Sequence, residues 1–426
     1  MIFFHYIISL FFLFCLTKTI HSSIPFMINP GCNLIECQNL NYPAIFYANH
    51  SIDDNDIIHI LYSSFDELTI SIIQTKKGYS PYINYTALFN KNYSNSIVFK
   101  NTTPLNSFSL IIRRLIKFND KNDTGHLNKD DNSIESYWLN GLKTTNIIHQ
   151  DNNTNQPSFQ LSLDTMNGLL TIDINYPGES MRDVNFPKLR STSKCYFLNI
   201  ALKADNYTLS NTRFALEFYI IQLGIEGTQF SSTRYIDDQY TPGIYEILIL
   251  ILMLVNFFEI IFEIIIVISI LNYFIVEGIF NVWQIKSLSS IYSSSMLWKP
   301  VVYQSVDRLV EKTTLMEIYD LKNNISLQKS IDQGIFNSFY VQPYVSAFNI
   351  SFGRAKDGFF AKSNYTFIQF TAGLDILEVD SVKQFVRIAL IVSLVLPGLV
   401  AFIAVIFIIK HRCSKRNISS YDVIQD

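Results

Sequence analysis

The chain has 426 residues, 33 basic and 36 acidic side chains, and a net charge of −3. So even a balance supplies no basic face for nucleic acid and no acidic tract for holding a store of cations. The length is enough to bury a large core and allows two domains.

Residues 1–16 are almost wholly apolar, with Lys18 and His21 beyond them and small residues at Ser22 and Ser23. This predicts a secretory signal peptide over 1–22, although the usual early positive charge is missing; a retained signal anchor is the alternative. Residues 23–385 are then expected in the lumen or outside the cell. Ten Asn-x-Ser/Thr triplets without proline fall in that stretch, headed by Asn49, Asn84, Asn92, Asn101, Asn122, Asn152, Asn206, Asn324, Asn349 and Asn364. Roughly five would arise by chance in a chain so rich in Asn, Ser and Thr, and the excess predicts a heavily glycosylated lumenal region.

Of five cysteines, Cys15 leaves with the signal and Cys413 lies near the C-terminus. Cys32, Cys37 and Cys195 remain in an oxidising compartment, where disulfides form. The simplest pairing joins Cys32 to Cys37 and leaves Cys195 free, but spacing alone leaves the pairing open.

Short runs rich in β-branched and aromatic residues recur between polar turns, at 57–62, 68–73, 108–118, 159–163, 169–174, 195–202, 214–223, 347–352 and 365–371. Several alternate, as in Phe159-Gln-Leu-Ser-Leu163, which marks a strand with one buried and one wet face. The prediction is a mainly β region of sandwich type. Asn349 falls inside an expected strand and requires its wet face. The polar stretch 119–156 reads as a surface excursion.

Residues 247–276 form a second apolar run long enough to span a bilayer. Against a span, Asn256, Glu259 and Glu263 sit near its centre, where one carboxylate costs on the order of 3 kcal/mol. A crossing there would also move Asn324, Asn349 and Asn364 to the cytosol. Gly243-Ile-Tyr-Glu before the run is echoed by Gly278-Ile-Phe-Asn after it. An inserted loop, such as an unspliced intron, explains that echo; a buried or amphipathic helix and a true span are the alternatives.

Signatures of catalysis are missing from the sequence: it has no Gly-x-Ser-x-Gly elbow, no His-Glu-x-x-His and no phosphate-binding glycine loop. His50, His59, His126 and His149 are not at metal spacing from a cysteine, and His59 lies in an expected strand as a core residue. The doublets Asp53-Asp54 and Asp237-Asp238 point to opposite faces if extended, which makes turn carboxylates of them rather than catalytic pairs. No catalytic, cofactor or metal residue is assigned.

The apolar run 388–409 is long enough to cross the membrane as a helix, and a span is expected over 386–409. Lys410, Arg412, Lys415 and Arg416 follow, which marks residues 410–426 as cytosolic. Tyr421 and Ile424 fit the tyrosine-x-x-bulky pattern that clathrin adaptors read as an added strand. Cys413 is a candidate for palmitoylation.

At Tyr235-Ile-Asp-Asp-Gln-Tyr-Thr-Pro242 and Trp298-Lys-Pro-Val301 the chain resembles the glycosylated lysosomal membrane protein family. The likeness continues through Ala347-Phe-Asn-Ile-Ser-Phe-Gly353, Leu396-Pro-Gly-Leu399 and Lys410-His-Arg412. It is looser before Cys195, and the family lacks the run 247–276. The resemblance implies a non-enzymatic accessory subunit that binds a lysosomal major facilitator transporter of small peptides and shields it from proteolysis. Small residues at Gly398, Ala401 and Ala404 are then candidates for close helix packing. The family's lumenal domain carries more cysteines, so its pairing does not transfer beyond Cys195. A cell-surface adhesion or receptor ectodomain with an endocytic tail, and an anchored hydrolase, are the competing readings.

Overall fold

The computed structural model describes residues 24–38, 43–100, 102–127, 134–139, 143–148, 158–163, 168–183, 189–204, 212–224, 226–237, 245–247, 278–309, 312–319, 321–326, 330–337, 342–357, 364–378, 400 and 403–411. The chain divides into two units, Met1–Glu378 and Val379–Asp426.

The first unit is built from antiparallel strands in two groups. One sheet runs, in spatial order, through Met27–Ile28, Ile45–Ser51, Asp56–Ser63, Leu68–Lys76, Asn106–Asn119, Thr212–Leu223 and Pro343–Phe352. The other runs through Lys143–Ile148, Ser158–Leu163, Gly168–Asn175, Cys195–Ala204, Tyr365–Gly373, Ser295–Trp298, Gly278–Ser287 and Thr228–Asp237. Strand Thr313–Ile318 joins them: Thr313 to Leu315 pair with Val301–Tyr303 beside the second sheet, and Met316 to Ile318 pair with Pro343–Phe352 in the first. All nine runs read from their β-branched and aromatic content lie within strands of these sheets.

Alternation places one face of each sheet in a shared core. Ile70, Leu110, Ile112, Leu216, Phe218, Phe348 and Ile350 from the first sheet meet Ile172, Leu198, Ile200, Trp298, Ile368 and Phe370 from the second. Phe218 and Phe370 pack edge to face at 5.5 Å between ring centroids, and Trp298 stacks on Phe348 at 6.1 Å. These contacts define a sandwich, in which each fully buried side chain of this size stabilises by roughly 1.5–3 kcal/mol.

The first sheet's outer face is covered as well. Ile45, Tyr47, Leu61, Phe65 and Ile73 pack under Tyr85, Leu88, Tyr93, Ile97, Phe99, Ile331 and Ile335. Asn84 starts the covering helix Tyr85–Phe89, its Oδ1 accepting from the Ala87 amide at 3.1 Å. Burial on both faces is why Asn106–Asn119 and Thr212–Leu223 carry near-continuous apolar runs rather than clean alternation.

The polar stretch 119–156 differs from the expected surface excursion. It contributes the strands Ile134–Trp138 and Lys143–Ile148, which add at sheet margins, the first beside Arg114 to Phe118. Edge strands have one bonded side and tolerate polar composition, so local patterning understates them.

Outside the described residues lie the expected signal peptide 1–22, the apolar run after Ile247, the tail with Tyr421 and Ile424, and most of the expected span. In the second unit, residues 403–411 are helical. Among the described residues no helix is long and apolar enough to cross a membrane.

Candidate functional site

Seven of the ten sequon asparagines fall within the described residues. Asn49, Asn92, Asn122, Asn324 and Asn364 are exposed, while Asn84 and Asn349 are half-buried. Asn101, Asn152 and Asn206 lie outside the described residues. Local chemistry presents several of these side chains. Asn49 lies on Ile45–Ser51 in phase with Ile45 and Tyr47, on the sheet's outer face, and its Nδ2 donates to the Tyr47 hydroxyl at 3.1 Å. Asn84 spends Oδ1 on its helix cap, which leaves Nδ2, the atom a glycan would take, outside that bond. Asn349 pairs across the ladder with Glu217, also on the outer face. Asn364 stands immediately before Tyr365–Gly373, and Asn324 follows Lys322–Asn323 in the left-handed region at φ 56°.

Asn122 sits in a turn held by a buried ion cluster that sequence reasoning missed. Arg213 is fully buried; its Nε donates to Asp120 at 2.8 Å and its Nη2 to Asp123 at 2.5 Å. Burial pushes the Asp120 carboxyl up, but amides of Thr124 and Gly125, the Thr124 hydroxyl and Arg213 together hold it below its ordinary value. Thr124 is the hydroxyl residue of the Asn122 sequon.

A second group lies on the first sheet's outer face. The register of Asn106–Asn119 against Thr212–Leu223 shifts between Glu217 and Phe218, so that Ile112 and Leu115 both reach the core while Arg113 and Arg114 share the outer side. Both guanidiniums lie over the Trp138 ring, at 4.8 and 5.1 Å. Arg114 makes a bidentate pair with Glu217, at 2.6 and 2.7 Å, and Arg113 meets Glu67 at 3.2 Å. Nearby, buried Asp332 accepts from Ser71 at 2.9 Å and Ser330 at 3.1 Å, and burial raises its carboxyl above the ordinary value. Two charges in succession inside an apolar strand were the available sequence signal for the bulge. The partners of Arg213 and Asp332 left none.

Histidine and acid candidates take structural places. His59 is buried, with Nδ1 2.8 Å from the Tyr47 hydroxyl and Nε2 2.8 Å from Thr75, and burial lowers it to about 4. Asp53 caps the turn 53–56, its Oδ1 accepting from the amides of Asn55 and Asp56, each at 2.7 Å. Asp237 ends a strand, and Asp238 lies outside the described residues. Among the described residues no three His, Cys, Asp or Glu side chains converge as a metal site. Cys32 and Cys37 are joined by a disulfide, while Cys195 is a free, buried thiol pushed up to about 11 by burial.

The sequence matches the model of the family described as glycosylated lysosomal membrane protein over residues 49–256 and 277–415. The chain belongs to this family. It is 25% identical to glycosylated lysosomal membrane protein B of Xenopus laevis over 386 residues, 85% of each chain. Protein A of the same organism is 23% identical over 330 residues, 74% of this chain and 73% of that one. The Danio rerio glycosylated lysosomal membrane protein is 21% identical over 407 residues, 92% of this chain and 87% of the other. Membership places the chain among the lysosomal membrane glycoproteins. The glycosylated lysosomal membrane protein match is interrupted at 257–276, inside the apolar run, and the strands on either side of that run are ladder partners.

Proposed function

We propose that this chain is a non-enzymatic accessory subunit, a single-pass type I glycoprotein that binds a lysosomal major facilitator transporter of small peptides and protects it from lysosomal proteolysis. Family membership across most of the chain carries this reading. The five exposed sequons support it, because glycans on a compact sandwich make a bulky cover that hinders proteases. Helical residues Ile403, Ile406, Phe407, Ile408 and Ile409 are all exposed apolar side chains, the composition of a helix that lipid or another apolar helix covers. In this reading residues 386–409 cross the membrane, Gly398, Ala401 and Ala404 admit the partner helix, and Tyr421 with Ile424 engages a clathrin adaptor in the cytosol.

Transporter abundance after depletion of the chain is the deciding measurement. The transporter is expected to fall and to recover when lysosomal proteases are inhibited; an unchanged level removes the protective role. Tyr421→Ala is expected to move the chain to the cell surface, and unchanged lysosomal residence would remove the tail from the sorting mechanism.

A further inference from the structure

Four large apolar side chains are exposed where loops meet at one end of the sandwich: Leu105 at 38%, Leu288 at 48%, Ile291 at 78% and Ile376 at 46%. Hydrogen bonds place those loops together. Asn106 Nδ2 donates to the Ser293 carbonyl at 3.0 Å, and Ser293 Oγ donates to the Leu374 carbonyl at 2.8 Å. Ser295 Oγ donates to the Asp375 carbonyl at 2.6 Å. The cluster therefore joins the starts of Asn106–Asn119 and Ser295–Trp298 to the end of Tyr365–Gly373.

We infer that this end of the sandwich docks on a lipid bilayer, with Leu105, Leu288, Ile291 and Ile376 entering the lumenal leaflet. The inference rests on the reading of 386–409 as a span. Residues 102–106 and 287–294 contain no charged side chain, so these segments enter without desolvating an ion, while the sequon at Asn101 and the exposed carboxylates Glu226 and Glu378 stay outside them. At Ile376 the neighbouring Asp375 is held by Thr192 Oγ1 at 2.6 Å and by Lys194 at 4.0 Å. Exposed apolar residues gathered in this way are a cost unless something covers them. Chain length selects the bilayer as the cover. Only residues 379–387 separate Glu378 from the apolar run, a reach of about 30 Å. The 14-residue strand Asn106–Asn119 is longer than that, at about 45 Å. In this reading the tether leaves from the end that carries the four side chains, two residues beyond Ile376.

Full-length chain in phosphatidylcholine vesicles tests the inference. With Cys413→Ser as background and Cys195 buried, Ile291→Cys takes an environment-sensitive fluorophore at the tip. Ile134→Cys, at an exposed residue paired with Phe118 near the far end, takes the same label. Brominated acyl chains are expected to quench the Ile291 label several-fold more than the Ile134 label, with a blue-shifted emission only at Ile291. Equal quenching at both sites, or an Ile291 label shielded from aqueous iodide but untouched by brominated lipid, overturns it; the latter means that a second copy or another protein covers the tip. Carbonate extraction separates the two levels of failure. Chain retained in the membrane with an aqueous Ile291 label defeats the docking alone, whereas extracted chain defeats the span and the docking with it.

Discussion

Asp237 and Gly278 face each other as partners in an antiparallel ladder, although residues 238–277 lie between them. Their strands are in register through Thr228↔Ser287, and the short strand Tyr245–Ile247 within the intervening segment pairs with the same Gly278 to Phe280. Removing residues 250–276 keeps that strand and leaves a three-residue loop, 248, 249 and 277, between Ile247 and Gly278, within the usual range for hairpins. Closing a loop of that size in place of the long one lowers the entropic cost by roughly 2 kcal/mol. The deletion variant is expected to fold, keep its glycan mass and melt at the same or a higher temperature. Retention in the endoplasmic reticulum, or a lower melting temperature, would make the apolar run part of the folded unit.

That relationship also shows what the sequence conveys. Runs such as 68–73 and 214–223 are legible because strand pairing and burial impose period-2 or continuous apolar patterns on contiguous residues. Thr228–Asp237 and Gly278–Ser287 mix Ser, Thr, Gln and Asn with aromatics, and their pattern shows only once they are paired. The sequons were legible as motifs, but their exposure depends on turns and strand faces that no local rule supplies. Arg213 meets Asp120, Asp123 and Asp357 across long stretches of chain, so nothing near Arg213 announces its partners.

Arg213→Met is expected to cost about 3–5 kcal/mol, because it leaves the buried Asp120 carboxylate without its cation. Lys117→Met, which breaks a pair with the exposed Glu135 at 3.2 Å, is expected to cost less than about 1 kcal/mol. Thermal denaturation of the two variants side by side checks the contrast, and equal losses would deny the cluster its role in holding the turn 120–125.

Gly373 faces Cys195 across the ladder at the end of Tyr365–Gly373. A Cβ there would lie 2.1 Å from the Lys194 carbonyl oxygen, 2.7 Å from Cys195 Cα and 2.8 Å from Cys195 Sγ. Two of these are backbone atoms that cannot swing aside, so Gly373→Ala is expected to destabilise by about 1–3 kcal/mol through overpacking. In the native protein Cys195 is expected to resist thiol reagents; in the Gly373→Ala variant it reacts measurably faster. An unchanged melting temperature and an unreactive thiol would show that the strand ends separate at no cost.

Glu67 sets a pH dependence whose sign is opposite to ordinary acid denaturation. Burial is the larger influence and lifts its carboxyl from 4.5 to about 7, with Asp332, Asp66 and Glu217 adding to the rise and Arg113 opposing it. The folded state thus holds the Glu67 proton more tightly than the unfolded chain does. The resulting stabilisation is complete below about pH 4.5 and is lost as pH rises through about 7. Buried Asp332, raised for the same reason, acts in the same direction. An upper bound for Glu67 is roughly 3 kcal/mol between the two limits. Buried His59, lowered to about 4, opposes this between pH 5 and 7.5, because the unfolded chain takes up that proton first as pH falls. Glu67→Gln removes only the Glu67 contribution, so its denaturant midpoint is expected to rise relative to the parent chain at pH 7.5 and not at pH 5. The Asp120 carboxyl works the other way, but only below its ordinary value near 3.8, so it leaves this window untouched. A Glu67→Gln variant with the parent's full pH slope would place the proton elsewhere.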